Sequence, residues 1–225
     1  MSTEYNGSNS GALEHANAIA NFKNALREAT RASHHSIDHH PLLAPLVKPS
    51  LTLKHYHYVL QVMEWILVPI HARILEKLSE FAPDQNYRFG DRPAWLKEDL
   101  ASLGFAKLPV PDVFAEWHGP TMTTPASLVG ALYVIEGSAL GGQVIARQLK
   151  NSIDVAPGQG ASFFYGLGPD TMGHWGAYWQ YAAGVCDCGD IVQICDASVS
   201  LFDDYERLFS MASQLQDNFH QKPTD

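Results

Sequence analysis

The sequence has few cysteines, and their distribution excludes a disulfide framework. Only three occur in 225 residues, and all of them lie between Cys186 and Cys195. An odd number of clustered cysteines does not form the set of cross-links that stabilises small secreted domains. The polar start of the chain also lacks the basic and apolar regions of a secretory signal peptide. We therefore expect a cytoplasmic protein.

The chain also lacks an excess of positive charge and any long apolar run. Its 24 acidic residues outnumber its 15 lysines and arginines, which gives a formal net charge of −9. This charge disfavours nucleic acid and anionic membranes as principal partners, although a local basic patch could still bind an acidic small molecule. Because no apolar run reaches about 18 residues, we predict no membrane span.

Alternating strand patterns and internal repeats are absent as well. Apolar residues instead recur at helical spacing. The composition, with 46% hydrophobic and 17% charged residues, is typical of a globular protein. We predict one all-α domain over residues 12–215, with a disordered N-terminal segment, residues 1–11, and a C-terminal tail, residues 216–225. The main helices are predicted at residues 12–35, 52–81, 95–103, 124–150, 174–185 and 191–215.

A long helix with three internal glycines is the most distinctive stretch. Residues 124–150 read TPASLVGALYVIEGSALGGQVIARQLK, and Thr124 is a natural N-cap. Gly137, Gly141 and Gly142 lie in its middle, where each glycine costs about 1 kcal/mol relative to alanine. Two explanations could account for this loss of helix stability. Another helix could pack closely against the glycines, or the backbone could bend and lie flat against a bulky ligand.

A stripe of cations and a histidine marks the first predicted helix. Lys23, Arg27, Thr30 and His34 are spaced four, three and four residues apart, so they share one face. Such a face could receive a ligand that carries acidic groups and a metal. The same residues are compatible with a solvated basic edge that includes a histidine by chance.

Other pairs of histidine and carboxylate are weaker candidates for a metal site. His35 and His39 are four residues apart beside Asp38, but no second group of Cys or His at zinc spacing completes four ligands. Glu64 and His71 share a helical face and are more typical of a satisfied polar pair. We therefore do not expect a structural zinc.

Two stretches in this order resemble the bacterial haem oxygenases. Residues 26–34, LREATRASH, look like the proximal helix of that family, and residues 133–143, YVIEGSALGGQ, look like its glycine-rich distal helix. The resemblance spans about residues 20–210 and is strongest to members that supply bilin to bacterial phytochromes. It implies a single-domain helical bundle with haem between the proximal helix and a kinked distal helix. Weaker similarities occur at Thr52, Tyr56, Arg92, Asp99, Leu103 and Phe164.

The resemblance also implies roles for individual residues. His34 matches the proximal ligand of the haem iron, bound through a neutral ring nitrogen. Gly137, Ser138 and Gly141 match the group on the distal face, where the reaction takes place. The residues implied to contact the cofactor are Lys23 and Arg27 near the propionates, together with Thr30, Tyr133, Gly142, Phe202 and Tyr205.

The implied activity is oxidative cleavage of haem b to biliverdin, carbon monoxide and ferrous iron. It uses O₂ and electrons from ferredoxin or another reductase, for bilin chromophore supply or for iron release. A flat glycine backbone would leave room for dioxygen and direct it towards one edge of the porphyrin, while ordered water delivers protons. The implied partners are a redox protein and a bacteriophytochrome that receives biliverdin.

Some residues depart from the pattern of the family. Ala139 stands where other members can carry a polar side chain, and a net charge of −9 does not suit an acidic ferredoxin. Two alternatives therefore stay open: a non-catalytic haem carrier or sensor, and a helical enzyme of the same fold that acts on another ligand. The spacing of Gly137 and Gly141 favours the enzyme over a carrier, and His34 favours haem over another ligand.

Overall fold

The protein is built from α-helices. Its structure is a computed structural model that describes residues 7–81 and 87–221, and it describes side chains for residues 15–81 and 87–216. These residues contain no strand, which confirms the all-α prediction. Short 3₁₀ helices connect the longer elements. In chain order the helices are α1 (Gly7–Ala29), α2 (Arg31–Asp38), α3 (Leu53–Phe81), α4 (Arg92–Leu103), α5 (Asp112–Ala115), α6 (Pro125–Ile153), α7 (Ser162–Tyr165), α8 (Thr171–Val185) and α9 (Ile191–Gln221).

Helices α1 and α2 divide the segment that we predicted as one helix. The Thr30 hydroxyl donates to the Leu26 carbonyl at 2.6 Å, and the Thr30 backbone lies at φ −98° and ψ 3°. A threonine that bonds back to the carbonyl four residues earlier bends a helix. The His34 N–H still donates to the Thr30 carbonyl at 2.9 Å, so α2 follows directly after the break.

The ends of the chain are more helical than predicted. Helix α1 begins at Gly7, so residues 7–11, which we predicted to be disordered, are helical. Helix α9 continues to Gln221, so most of the predicted tail is helical too. The rest of both predicted segments, residues 1–6 and 222–225, lies outside the described residues.

The core is formed mainly by α3, α6 and α9. Helix α3 passes Pro69 without ending, as predicted. Helix α6 begins with a capping box, in which the Thr124 hydroxyl accepts from the Ser127 N–H at 3.2 Å and the Ser127 hydroxyl accepts from the Thr124 N–H at 3.0 Å. Helix α9 packs closely on α6 at Gly130, where an added Cβ would lie 2.4 Å from the Ile194 carbonyl oxygen. A side chain there would force the two helices apart.

Helices α3 and α6 are long and apolar enough to cross a membrane, judged by length and composition alone. Their 18-residue windows have a mean hydropathy of 1.3 and 1.4, and 61% and 56% of these windows are buried inside the protein. Buried core helices pass the same test, so these two helices are weak evidence against the prediction of no membrane span.

Candidate functional site

A cavity of about 380 Å³ opens among α2, α6 and α9, with further walls from α3, the first turn of α4 and α7. We call it the α2–α6 cavity. Its volume lies within the range of about 300–1,000 Å³ that is typical of small-molecule sites. Most of its walls are Leu, Ile, Val, Met and Phe side chains, with a few polar groups among them. This composition fits a large apolar ligand that carries a small number of polar groups.

His34 lines the α2–α6 cavity from α2. Its ring packs edge-on against Phe202 of α9, with the ring centroids 4.7 Å apart. Burial lowers the pKa of His34, while the charge of Asp38 acts in the opposite direction and is the smaller effect. The imidazole is therefore neutral at neutral pH, which is the form that binds a metal. The adjacent His35 lines a separate surface groove.

The glycine segment of α6 lines the same cavity through Gly137, Ser138, Gly141 and Gly142. Helix α6 is continuous through this segment, and the predicted kink stays a prediction. A Cβ added at Gly141 would meet nothing within 4 Å, whereas one at Gly142 would lie 2.7 Å from the Phe164 carbonyl oxygen. Close packing, the first of the two explanations, therefore applies at Gly142, while a ligand against Gly141 stays a prediction. Gly142 allows close packing of α7, and Gly141 leaves open space.

The remaining aromatic and hydroxyl candidates divide into two pairs. Phe202 and Tyr205 line the cavity from α9. Thr30 and Tyr133 are buried outside its lining, where their hydroxyl oxygens lie 3.3 Å apart. The Tyr133 ring is also 6.3 Å from the ring of His34, centroid to centroid. This second pair can support the position of His34 without touching a ligand.

The two cations expected near the propionates do not line the cavity. The Lys23 ammonium lies over the Trp179 ring, 5.4 Å from its centroid, and Arg27 is exposed on α1. Both therefore stay predictions as propionate partners. The sequence placed them on one face with His34, but the break at Thr30 interrupts that face.

A buried polar cluster beside the glycine segment was not predicted. One carboxylate oxygen of Glu136 accepts a hydrogen bond from the Tyr87 hydroxyl and lies 2.9 Å from Nε2 of His174. Its other oxygen lies 3.9 Å from the Arg92 guanidinium. Arg92 Nη1 in turn donates to the Ser138 hydroxyl at 3.0 Å. The sequence signal was weak, because these groups come from four separate segments and meet only in the folded chain.

The electrostatics of this cluster keep Glu136 ionised. Burial raises the pKa of its carboxyl, but the His174 hydrogen bond, the Arg92 charge and the Tyr87 hydrogen bond together hold it below its ordinary value. Arg92 lines the α2–α6 cavity, and among the described residues it is the only Lys or Arg that does so. The cluster thus presents a positive charge to the cavity and keeps a negative charge behind it.

The aromatic wall of α7 is held by a buried carboxylate on α4. Asp99 accepts the backbone N–H of Ser162 at 2.7 Å and that of Phe163 at 2.8 Å. Burial raises the pKa of Asp99, and these hydrogen bonds oppose the rise. The bonds fix the first turn of α7, and Phe163 and Phe164 of that turn line the cavity.

The weaker metal candidates have other partners. His35 and His39 lie with their ring centroids 4.2 Å apart, but Nδ1 of His39 is hydrogen-bonded to the His35 carbonyl at 2.8 Å. Glu64 and His71 do not pair with each other, since Glu64 binds Lys107 at 3.1 Å and His71 contacts the Gly90 carbonyl. Within the described part of the chain, no group of three or more His, Cys, Asp or Glu residues is placed to hold a metal ion.

Three solved structures are similar to this chain over most of its length, each with a TM-score of 0.66. They are the haem oxygenase from Leptospira interrogans (19% identity, covering 84% of this chain and 98% of that one), the NO- and CO-bound haem oxygenase from Neisseria meningitidis (20% identity, 85% and 91%), and haem oxygenase-1 from the cyanobacterium Synechocystis in complex with haem (17% identity, 89% and 96%). At these identities the likeness shows the fold. No curated protein matches the sequence.

Over the described residues, the fold is all-helical and encloses the α2–α6 cavity. The family model described as "Heme oxygenase" matches residues 20–209. The chain therefore belongs to the haem oxygenase family, whose activity is the degradation of haem to biliverdin. This finding confirms the family resemblance read from the two motifs.

The residues of the α2–α6 cavity fit a haem. A haem held by a histidine needs apolar walls, a neutral ring nitrogen for its iron and free space on the other face. The cavity offers apolar walls, the neutral ring of His34 and the open backbone at Gly141. Arg92 adds one cation for an anionic group.

Proposed function

We propose that the α2–α6 cavity is the site of haem cleavage in this protein. The observation that carries the proposal is that His34 of α2 and Gly141 of α6 line one apolar cavity, with nothing within 4 Å of a Cβ placed at Gly141. The products are biliverdin, carbon monoxide and ferrous iron. When bound, haem supplies both the iron that activates O₂ and the macrocycle that is oxidised.

On this proposal His34 binds the iron through a ring nitrogen. The edge-on contact with Phe202 fixes the plane of the His34 imidazole. Because the pKa of His34 is lowered, the imidazole is neutral and available as a ligand. Phe202 and Tyr205 supply apolar surface beside the ligand on α9. Thr30 and Tyr133 support the ring of His34 from behind the cavity wall.

The glycine segment lies over the other face of the ligand. Gly137 and Gly141 carry no side chain, so the backbone of α6 leaves room for dioxygen. The Ser138 hydroxyl donates to the Ile135 carbonyl at 2.7 Å and accepts from Arg92, so it is fixed in one orientation. Its second lone pair can accept a hydrogen bond from a water molecule in the cavity.

The electrons come from ferredoxin or another reductase, and the setting is the cytoplasm. The biliverdin supplies a bacteriophytochrome chromophore, or the reaction serves iron release. The motif EGSALGGQ at residues 136–143 supports the chromophore role, since it resembles the bilin-supplying members of the family. On this proposal Lys23 and Arg27 of α1 are partners of the propionates.

The test is to add one equivalent of haemin to the purified protein and then ascorbate under air, while the visible spectrum is recorded. We expect a Soret band that decays as the broad red absorption of biliverdin appears. A stable Soret band without turnover would assign the protein to the alternative class, a haem carrier or sensor. The absence of any Soret shift would contradict haem binding altogether.

A further inference from the structure

A second, much smaller space lies directly behind the glycine segment. It has a volume of about 20 Å³, and Glu136, Ala139, Arg92, His174 and Phe163 contribute to its walls. About 10–15 Å³ of such volume is enough for one water molecule, provided that polar partners are present. The carboxylate of Glu136, the guanidinium of Arg92 and the ring of His174 provide those partners. We call this space the α6–α8 chamber.

The α6–α8 chamber shares walls with the α2–α6 cavity. Arg92, Ala139 and Phe163 line both spaces. Ala139 stands where other members of the family can carry a polar side chain, and its short methyl group adds little bulk between the two spaces. The side chains of Arg92, Ala139 and Phe163 therefore form a thin wall between the chamber and the glycine side of the α2–α6 cavity.

The other end of the chamber reaches towards solvent. The His174 side chain is 18% exposed, while the Glu136 side chain next to it is 3% exposed. Nε2 of His174 faces Glu136 at 2.9 Å, so a proton accepted on Nδ1 can release the proton on Nε2 to the carboxylate. His174 is thus the outer proton acceptor, nearer to solvent, and Glu136 is the inner one.

We propose that His174 and Glu136 form a proton entry path that reaches the glycine side of the haem cavity through the water of the α6–α8 chamber. This inference rests on the proposed function, because the reduction of O₂ to water during haem cleavage consumes protons. Each step moves one proton: solvent to Nδ1 of His174, Nε2 to the Glu136 carboxylate, carboxylate to the chamber water, and from that water to a water molecule in the cavity. Glu136 is then ionised again, while His174 is left with its proton on Nδ1 and regains the Nε2 tautomer by exchanging ring protons with water.

Arg92 is a positioning residue in this path and not a carrier. A guanidinium does not give up its proton in a protein. Arg92 instead holds the Ser138 hydroxyl at the cavity end and balances the charge of Glu136. The other titratable groups around Glu136 are the Tyr87 and Tyr178 phenols, and burial raises the pKa of both well above the ordinary value. Neither phenol loses its proton near neutral pH, so neither phenol competes with Glu136 as a proton acceptor.

The test compares Glu136→Gln and His174→Gln with a matched control, Glu64→Gln. Glutamine in each place keeps hydrogen-bonding capacity and nearly the same size but cannot carry a proton. Glu64 is a largely buried glutamate of α3 that pairs with Lys107 and lines neither space. Haemin affinity should be unchanged in all three variants.

We expect the ascorbate-driven turnover rate to fall by about tenfold or more in both path variants, with an increased solvent deuterium isotope effect. A second measurement needs no turnover: the pH midpoint of the Soret change in the ferric complex. In Glu136→Gln this midpoint should fall by about half a pH unit or more, because a nearby negative charge that opposes proton loss in the cavity is removed. Glu64→Gln should match the wild type in all of these measurements.

The outcomes separate this proposal from the proposed function. If the wild type degrades haem and both path variants keep its rate, isotope effect and midpoint, the path is wrong and the function stands. A slower rate with an unchanged isotope effect and midpoint means that the cluster acts only in structure, which also overturns the path. If the wild type binds no haemin, both proposals fail.

Discussion

The residue pair His34 and His35 offers a direct comparison at the scale of single side chains. They are adjacent on α2, but only His34 lines the α2–α6 cavity. We expect His34→Ala to lower haemin affinity by at least about tenfold, which is about 1.4 kcal/mol, and to change the Soret band because the nitrogen ligand is lost. His35→Ala should behave as the wild type in the same haemin titration. Equal spectra for the two variants would contradict the assignment of the iron ligand.

Gly141 and Gly142 give a second comparison, with opposite expected signs. Gly141→Ala should raise the free energy of unfolding by up to about 1 kcal/mol, because the helix gains propensity and the Cβ meets nothing within 4 Å. Gly142→Ala should lower it by about 1–3 kcal/mol, since its Cβ would lie 2.7 Å from the Phe164 carbonyl oxygen. Urea unfolding of both variants measures this difference.

A larger side chain at the same glycine tests the open space itself. Gly141→Leu should leave the fold intact but weaken haemin binding, because its side chain enters the space that the ligand uses. If Gly141→Leu binds haemin as well as the wild type, the glycine face is not the ligand face.

Much of the residue-level site could be predicted from the sequence. The sequence predicts five site residues that the cavity brings together: His34, Ser138, Gly141, Phe202 and Tyr205. Short-range spacing and the family motifs carry that information. The contacts of Glu136 with other segments could not be predicted, because they depend on how α4, α6 and α8 pack in three dimensions.

At the scale of secondary structure elements, α7 spans only four residues, Ser162–Tyr165. The carboxylate of Asp99 on α4 accepts two backbone N–H groups of this short helix. We expect Asp99→Ala to lower the free energy of unfolding by about 2–4 kcal/mol, since two buried N–H groups lose their acceptor. Haemin affinity should also fall, because Phe163 and Phe164 form part of the cavity wall.

The control for this prediction is Glu98→Ala, which removes an exposed carboxylate from the same helix. Its effect on unfolding should stay within about 0.5 kcal/mol. If both variants unfold at the same urea concentration as the wild type, α7 does not depend on Asp99.

The elements themselves were predicted with unequal success, for physical reasons. Long helices such as α3 and α6 have many periodic apolar residues, so their starts were predicted to within a residue. The predicted end of α6 at residue 150 was too early, because the helix continues to Ile153. The break between α1 and α2 was missed, because it comes from one side-chain hydrogen bond at Thr30. Helix α7 was missed because four residues carry no detectable period.

At the scale of the whole molecule, three histidines link stability to pH. Burial lowers the pKa of His34, His40 and His57 below the ordinary value of 6.5. The unfolded chain therefore binds protons more readily near pH 6.5 than the folded protein does, so stability is lost as the pH falls through that value. We expect the melting temperature of the haem-free protein to fall between about pH 7.5 and about pH 5.5.

His57 allows this pH dependence to be tested with one substitution. Its ring stacks on Phe105 at 4.6 Å between centroids, and His57→Phe keeps an aromatic ring there while it removes the titrating group. The variant should melt like the wild type at the upper pH and lose less stability at the lower pH. An unchanged difference between the two pH values would show that His57 does not contribute to the linkage.

The central claim is that haem is held between the proximal histidine of α2 and the glycine segment of α6. A crystal structure of the haemin complex tests it most directly. We predict iron within coordination distance of a ring nitrogen of His34, with the porphyrin face against Gly137 and Gly141. Iron bound to any other residue, or haemin located in the surface groove lined by His35, would contradict the account.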